Sequence, residues 1–123
     1  GLFLKGKINL ELRKFKLAEK TYHRILNLVE QPEGALVSAK AQNNLGILYI
    51  KKNQYEKARD AFFASIKIFP QIPDAHYNLG KLILDLKGNN VLARNHLELA
   101  LVYNQSPFLE GEINRLLEQI QSP

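Results

Sequence analysis

The chain has 123 residues, 46% of them apolar, a formal net charge of +5, and no Cys, Met or Trp. That length suits one domain or three to four helical repeats. The missing cysteine excludes disulfides, thiolate catalysis and Cys-based zinc sites, and no apolar run approaches the ~18 residues that span a bilayer. The first residue is Gly rather than Met, as expected of a processed or excised piece, with any leader or anchor lying upstream. Cytoplasm and bacterial periplasm are both compatible with a Cys-free chain. The charge is uneven: residues 1–34 carry seven Lys/Arg against four acids, residues 35–72 six against two, and residues 106–123 one against three. Such a basic end attracts acidic partners, but bases spread at helical intervals among Glu and Asp also describe a solvated helix surface.

In chain order, residues 1–31 read as one helix pair. Gly6 is the small residue of its first helix, and Phe15, Ala18, Tyr22, Ile25 and Leu26 mark the apolar face of the second. A turn is expected at Pro32–Gly34, then an unusually long helix from about Ala35 to Lys52 with Leu45, Leu48 and Tyr49 on one face. Asn53 tolerates the left-handed conformation and ends it. Tyr55 opens the next helix, through Ala58, Ala61, Phe62, Ser65, Ile66 and Phe69, and Pro70 closes it. Pro73 suits the first turn of the following helix, which carries Ala75, Leu79, Gly80, Leu82 and Ile83 and is expected to stop at Gly88. Leu92, Ala93, His96, Leu97, Ala100 and Leu101 form its partner. Ser106 is an N-cap with Pro107 at the first helical position, and Leu109, Ile113, Leu116, Leu117 and Ile120 stripe a final helix over 107–121. Its polar face is Glu112, Arg115, Glu118, Gln119 and Gln121, as in a helix that closes the open end of a stack.

Asn44-Leu45-Gly46 recurs as Asn78-Leu79-Gly80, 34 residues on. With Tyr49, Ala58, Phe62 and Pro70 in order and spacing, residues 39–72 resemble the tetratricopeptide repeat, although Gln42 stands where the family has Trp. Residues 73–106 keep Leu79, Gly80, Ala93 and Ala100, with His76, Ile83, Leu97 and Gln105 at other signature places, and residues 2–31 keep only Gly6, Ala18 and Tyr22. The resemblance implies a single all-α domain over 1–123, a right-handed superhelix of antiparallel helix pairs (an α-solenoid) closed by the last helix. The signature residues have packing roles: the glycines and alanines admit a neighbouring helix, and Tyr49 and Phe62 fill the space between helices.

The resemblance also implies a function, since first helices in this family line a concave groove that binds a partner's peptide or helix. By position the groove residues are Lys40, Asn43, Asn44, Ile47, Ile50 and Lys51, then Asp74, Tyr77, Asn78, Lys81, Leu84 and Asp85, with Lys7 from the first copy. A carboxylate clamp does not fit. Asn44 occupies one of its places, but Asp74, Asn78 and Phe3 stand where cations are needed, and Asp74 would repel the ligand.

Other chemistry finds little footing. His23, His76 and His96 lie on different helices without the same-face spacing of a zinc pair, so packing roles are expected. Asp85-x-Lys87-Gly88-Asn89-Asn90 has Lys87 among the would-be calcium ligands and no closing acid. Glu56 and Asp60, one turn apart beside Lys57 and Arg59, read as a solvated face. There is no phosphate loop, and the serines have no recognisable His and acid partners. The expectation is therefore a non-catalytic adaptor or scaffold for a protein or peptide partner, without cofactor or metal, and with self-association open. The competing reading is a helical-repeat RNA binder using the basic N-terminal half; it lacks a continuous basic track.

Overall fold

The structure is a computed structural model that describes residues 15–28 and 33–121. Among these residues there is no strand, and the helices are α1 (Phe15–Leu28), α2 (Ala35–Lys51), α3 (Tyr55–Ile68), α4 (Pro73–Asp85), α5 (Asn90–Tyr103) and α6 (Pro107–Gln121). The expected first helix with Gly6, the positions Phe3 and Lys7, and Pro32 of the turn lie outside the described residues. Two compact units divide between Pro70 and Gln71.

In the first unit α2 packs on both α1 and α3. The apolar period of each helix puts Ala18, Tyr22 and Ile25 of α1, Ala41, Leu45 and Leu48 of α2, and Ala61 of α3 into one cluster, with Phe15, Leu26 and Tyr49 at its edge. Phe62 is fully buried, which is worth about 1.5–3 kcal/mol relative to leaving it exposed. Its ring lies against Gly46, in the space a Cβ there would need. Ser65 Oγ, buried on α3, donates to the Ala39 carbonyl at 2.6 Å and fixes the register of the pair.

One carboxylate ties this unit together. Glu19 on α1 accepts a hydrogen bond from the Tyr49 hydroxyl at 2.8 Å. Lys52 Nζ lies 3.7 Å from its other oxygen, and His23 Nε2 is 3.8 Å away. Lys57 of α3 sits 5.7 Å from the centre of the Tyr49 ring. The Tyr49 bond, then the charges of Lys52, His23 and Lys57, hold Glu19 below the usual carboxylate range against the opposing effect of its burial. Burial, with Glu19 adding to it, pushes Tyr49 up to about 12.

Both first helices end in the same way. Asn53, at φ 60, is left-handed; its N–H bonds the Ile50 carbonyl and that of Gln54 the Tyr49 carbonyl. At the end of α4, Lys87 N–H bonds Leu84 and Gly88 N–H bonds Ile83. This double bond pattern satisfies the last carbonyls of a helix. The expected stop at Gly88 is corrected by one residue: Lys87 takes the left-handed conformation, at φ 56. Gly88 instead lies against Ile83, whose Cγ2 would be 3.1 Å from an added Cβ. The longer turn here has room for Asn89, whose side chain accepts from the N–H groups of Val91 and Leu92 and caps α5.

In the second unit α4 packs on α5 and α5 on α6. A Cβ on Gly80 would lie 2.8 Å from Leu97 Cγ and 3.1 Å from the Ala93 carbonyl. Leu97 and Ala100 meet Ile113 and Leu116 of α6, flanked by Tyr77, Leu84, Leu101, Leu109, Leu117 and Ile120. The apolar stripe read along α6 is therefore its docking face. Ser106 Oγ accepts from Leu109 N–H at 3.3 Å, the expected N-cap, and Arg115 pairs with Glu112 at 3.1 Å on the outer side.

Gly46→Ala forces a methyl into the Phe62 ring and should lower unfolding stability by about 1–3 kcal/mol. Gly111→Ala on α6, where a Cβ meets nothing within 4 Å, should raise it by about 0.5–1 kcal/mol. Urea titrations of both variants check the pair. Glu19 titrates lower when folded, so its contribution is full above the ordinary value of 4.5 and disappears as pH falls through the lowered one. Glu19→Gln should therefore cost roughly 1 kcal/mol at neutral pH, a cost that shrinks steadily as pH falls below 4.5, in urea titrations across that range.

Candidate functional site

A helix turns about 100° per residue, and along α2 that rotation sorts the side chains cleanly. Leu36, Val37, Lys40 and Lys51 are exposed, with Asn44 and Ile47 half-buried beside them. All six fall within roughly 100° of arc, on the side opposite the helix's buried residues. The helix carries no acid anywhere in its length. Lys40, Asn44 and Lys51 have no side-chain hydrogen-bond or ion-pair partner among the described residues. An exposed helix face is ordinarily polar; here half the positions are aliphatic.

Two positions assigned to this face sit differently. Asn43 is only 5% exposed and belongs to the interior. Ile50 is half-buried at the margin. Leu36 and Val37, each 42% exposed, join the face from the extra turn before the repeat begins. Their spacing of three and four residues before Lys40 is the signal that could have placed them there.

On α4 the exposed positions are Asp74, Lys81 and Asp85, with Tyr77, Asn78 and Leu84 half-buried. Tyr77 and Leu84 pack against the cluster that receives α6, so much of their apolar area is covered by that helix. Burial, and then the nearby Glu112, raises the Tyr77 phenol above its ordinary value. A cleft of about 360 Å³ opens beside Leu84, lined also by Lys87, Gly88, Asn90, Gln119 and Ile120. Its lining pairs no nucleophile with a base.

His76 and His96, which periodicity left on separate helices, meet across the α4–α5 contact. Their Nδ1 atoms are 3.0 Å apart and their rings stack at 5.3 Å between centroids, with the Tyr103 ring 6.1 Å from His76. One ring donates and the other accepts. Burial, and then His76, lowers the His96 value below that of a free imidazole. His76 stands at the place of the Trp in the repeat pattern and is 2% exposed. Among the described residues no three His, Cys, Asp or Glu side chains converge as a metal site would require. No helix among them is long and apolar enough to cross a membrane.

The description "Tetratricopeptide repeat" belongs to the family model that matches residues 39–72. No curated protein matches the chain. Solved structures do. A crystal structure of MamA superposes with a TM-score of 0.67 at 24% identity, covering 83% of this chain and 56% of that one. The CopN–Scc3 complex gives 0.70 at 17%, covering 95% and 65%. PilF of Pseudomonas aeruginosa gives 0.69 at 16%, covering 95% and 52%. The chain thus spans between about half and two-thirds of each structure it matches. Residues 39–72 are a tetratricopeptide repeat, and the described helices around them have the helix-pair fold of tetratricopeptide-repeat proteins.

Proposed function

We propose that the chain is a non-catalytic adaptor whose first helices each offer an outward face to a peptide or helix of a partner protein. Lys40, Asn44, Ile47 and Lys51 contribute from α2, and Asp74, Asn78, Lys81 and Asp85 from α4. The observation that carries this is the α2 face, where exposed aliphatic area lies beside lysines that no neighbour among the described residues neutralises. Apolar area supplies affinity on burial, and charges beside it select the partner and its register. Asn43, Tyr77 and Leu84 act from behind, as supports whose area is mostly committed to the fold. The structural likeness to the CopN–Scc3 complex is in keeping with a protein partner. An RNA-binding role draws no support: two lysines separated by Asn44 and Ile47 on α2, and acids at both ends of α4, do not make the unbroken cationic track that phosphates require.

The test is quantitative capture. Proteins retained by the intact chain are identified by mass spectrometry and their affinities re-measured with purified components. Reversing charge at Lys51 and Lys81 together should weaken binding at least about tenfold, or about 1.4 kcal/mol, while far-UV circular dichroism is unchanged. Undiminished binding by that variant would put the recognition surface elsewhere.

A further inference from the structure

The α2 face is specific enough to define the chemistry of what lies on it. Resting on the first-helix reading above, we infer that the occupant of α2 is an amphipathic helix bearing two carboxylates eleven residues apart on its apolar side.

The argument starts from charge. The only cationic side chains on α2 are Lys40 and Lys51, and no acid on the helix offsets them. Both are exposed and neither has an ion-pair partner among the described residues. Burying them under a partner without counter-charge is costly, so a stable complex must bring acids to both. The corresponding exposed positions on α4 are Asp74, Lys81 and Asp85, so the demand for acids is particular to α2.

Spacing decides the conformation. Eleven residues of helix rise about 16 Å and complete three turns to within about 20°, which puts Lys40 and Lys51 on one line. A partner helix laid along α2 returns to the same line with the same eleven-residue interval. An extended peptide covers about 16 Å in five residues, and alternation then points its two acids to opposite sides. Between and beside the lysines, Leu36 and Val37 at one end and Ile47 near the other present the aliphatic surface. Apolar residues at helical intervals fill it, as when a helix lies in a groove. Asn44, between the lysines and one turn from Lys40, is matched by a polar side chain.

The experiment uses the full chain and three fluorescent synthetic peptides of about 18 residues. The first is a helix with Glu at two positions eleven apart and Leu or Ile along the same face. The second carries Lys at those two positions. The third keeps the first composition but is broken by a central Pro. Anisotropy titrations at low and high salt give the affinities, and amide chemical shifts locate the contact. The expected result is tenfold or greater preference for the Glu helix over both others, weakening with salt, with shifts concentrated on Leu36–Lys51. The Lys40→Glu/Lys51→Glu double variant should reverse the preference toward the Lys helix, a gain that loss of folding cannot produce. Equal affinity for the Glu and Lys helices, equal affinity for the Pro-broken peptide, or no binding to any of the three overturns the inference. If the captured partner binds on α2 through a segment without paired acids, the carboxylate chemistry fails while the adaptor reading stands. If neither partner nor peptide touches α2, both fail.

Discussion

Two glycines in the middle of helices set the distance on which the helix pairs depend. Glycine in a helix interior is unfavourable by roughly 1 kcal/mol relative to alanine, so Gly46 and Gly80 need a compensating reason. The reason is the neighbour: the Phe62 ring occupies the place of a Cβ on Gly46, and Leu97 and the Ala93 backbone crowd that of Gly80. Ala58 and Ala93, fully buried on the second helices, remove bulk from the other side. Once the two backbones lie this close, Leu45 and Leu48 in one unit and Leu79 and Leu82 in the other are carried into the interior. The opposite side of each first helix is then left outward, whatever its composition. The outward face follows from the packing contact by rotation along the same helix.

That logic explains which parts of the molecule were legible in the chain. The repeat signature consists of packing residues, so Gly46, Ala58, Phe62 and Pro70 announced the middle helix pair and Asn53 its turn. Caps are local chemistry, and Ser106 and Pro107 marked the start of α6. The end of α4 was misplaced by one residue because glycine is the usual left-handed residue, whereas here a lysine takes that conformation at a cost of about 1 kcal/mol. Contacts between side chains distant in sequence were not legible. Nothing in periodicity joins Glu19 to Tyr49 thirty residues on, or brings His76 against His96. Asn43 is the converse case: its position in the repeat suggested an outward amide, and its neighbours enclose it.

The outward faces differ in a way the family pattern does not dictate. Along α2 the exposed residues are aliphatic or cationic; along α4 they alternate in sign, and its larger side chains are drawn toward α6. One fold therefore presents two chemically distinct first-helix faces. Some polar groups elsewhere have structural roles. Glu19 ties α1 to α2, Ser65 ties α3 to α2, and the histidine pair fills the seam between α4 and α5.

The dependence of the fold on these glycine contacts is most directly tested by amide hydrogen exchange on the unliganded chain. Exchange should be slowest where the helices touch, at Leu45–Leu48 and Ala61–Phe62 in one unit and at Leu79–Leu82 and Leu97 in the other, and should quicken toward the helix ends. Slowest exchange at sites remote from Gly46 and Gly80, or uniform weak protection along the helices, would contradict the account.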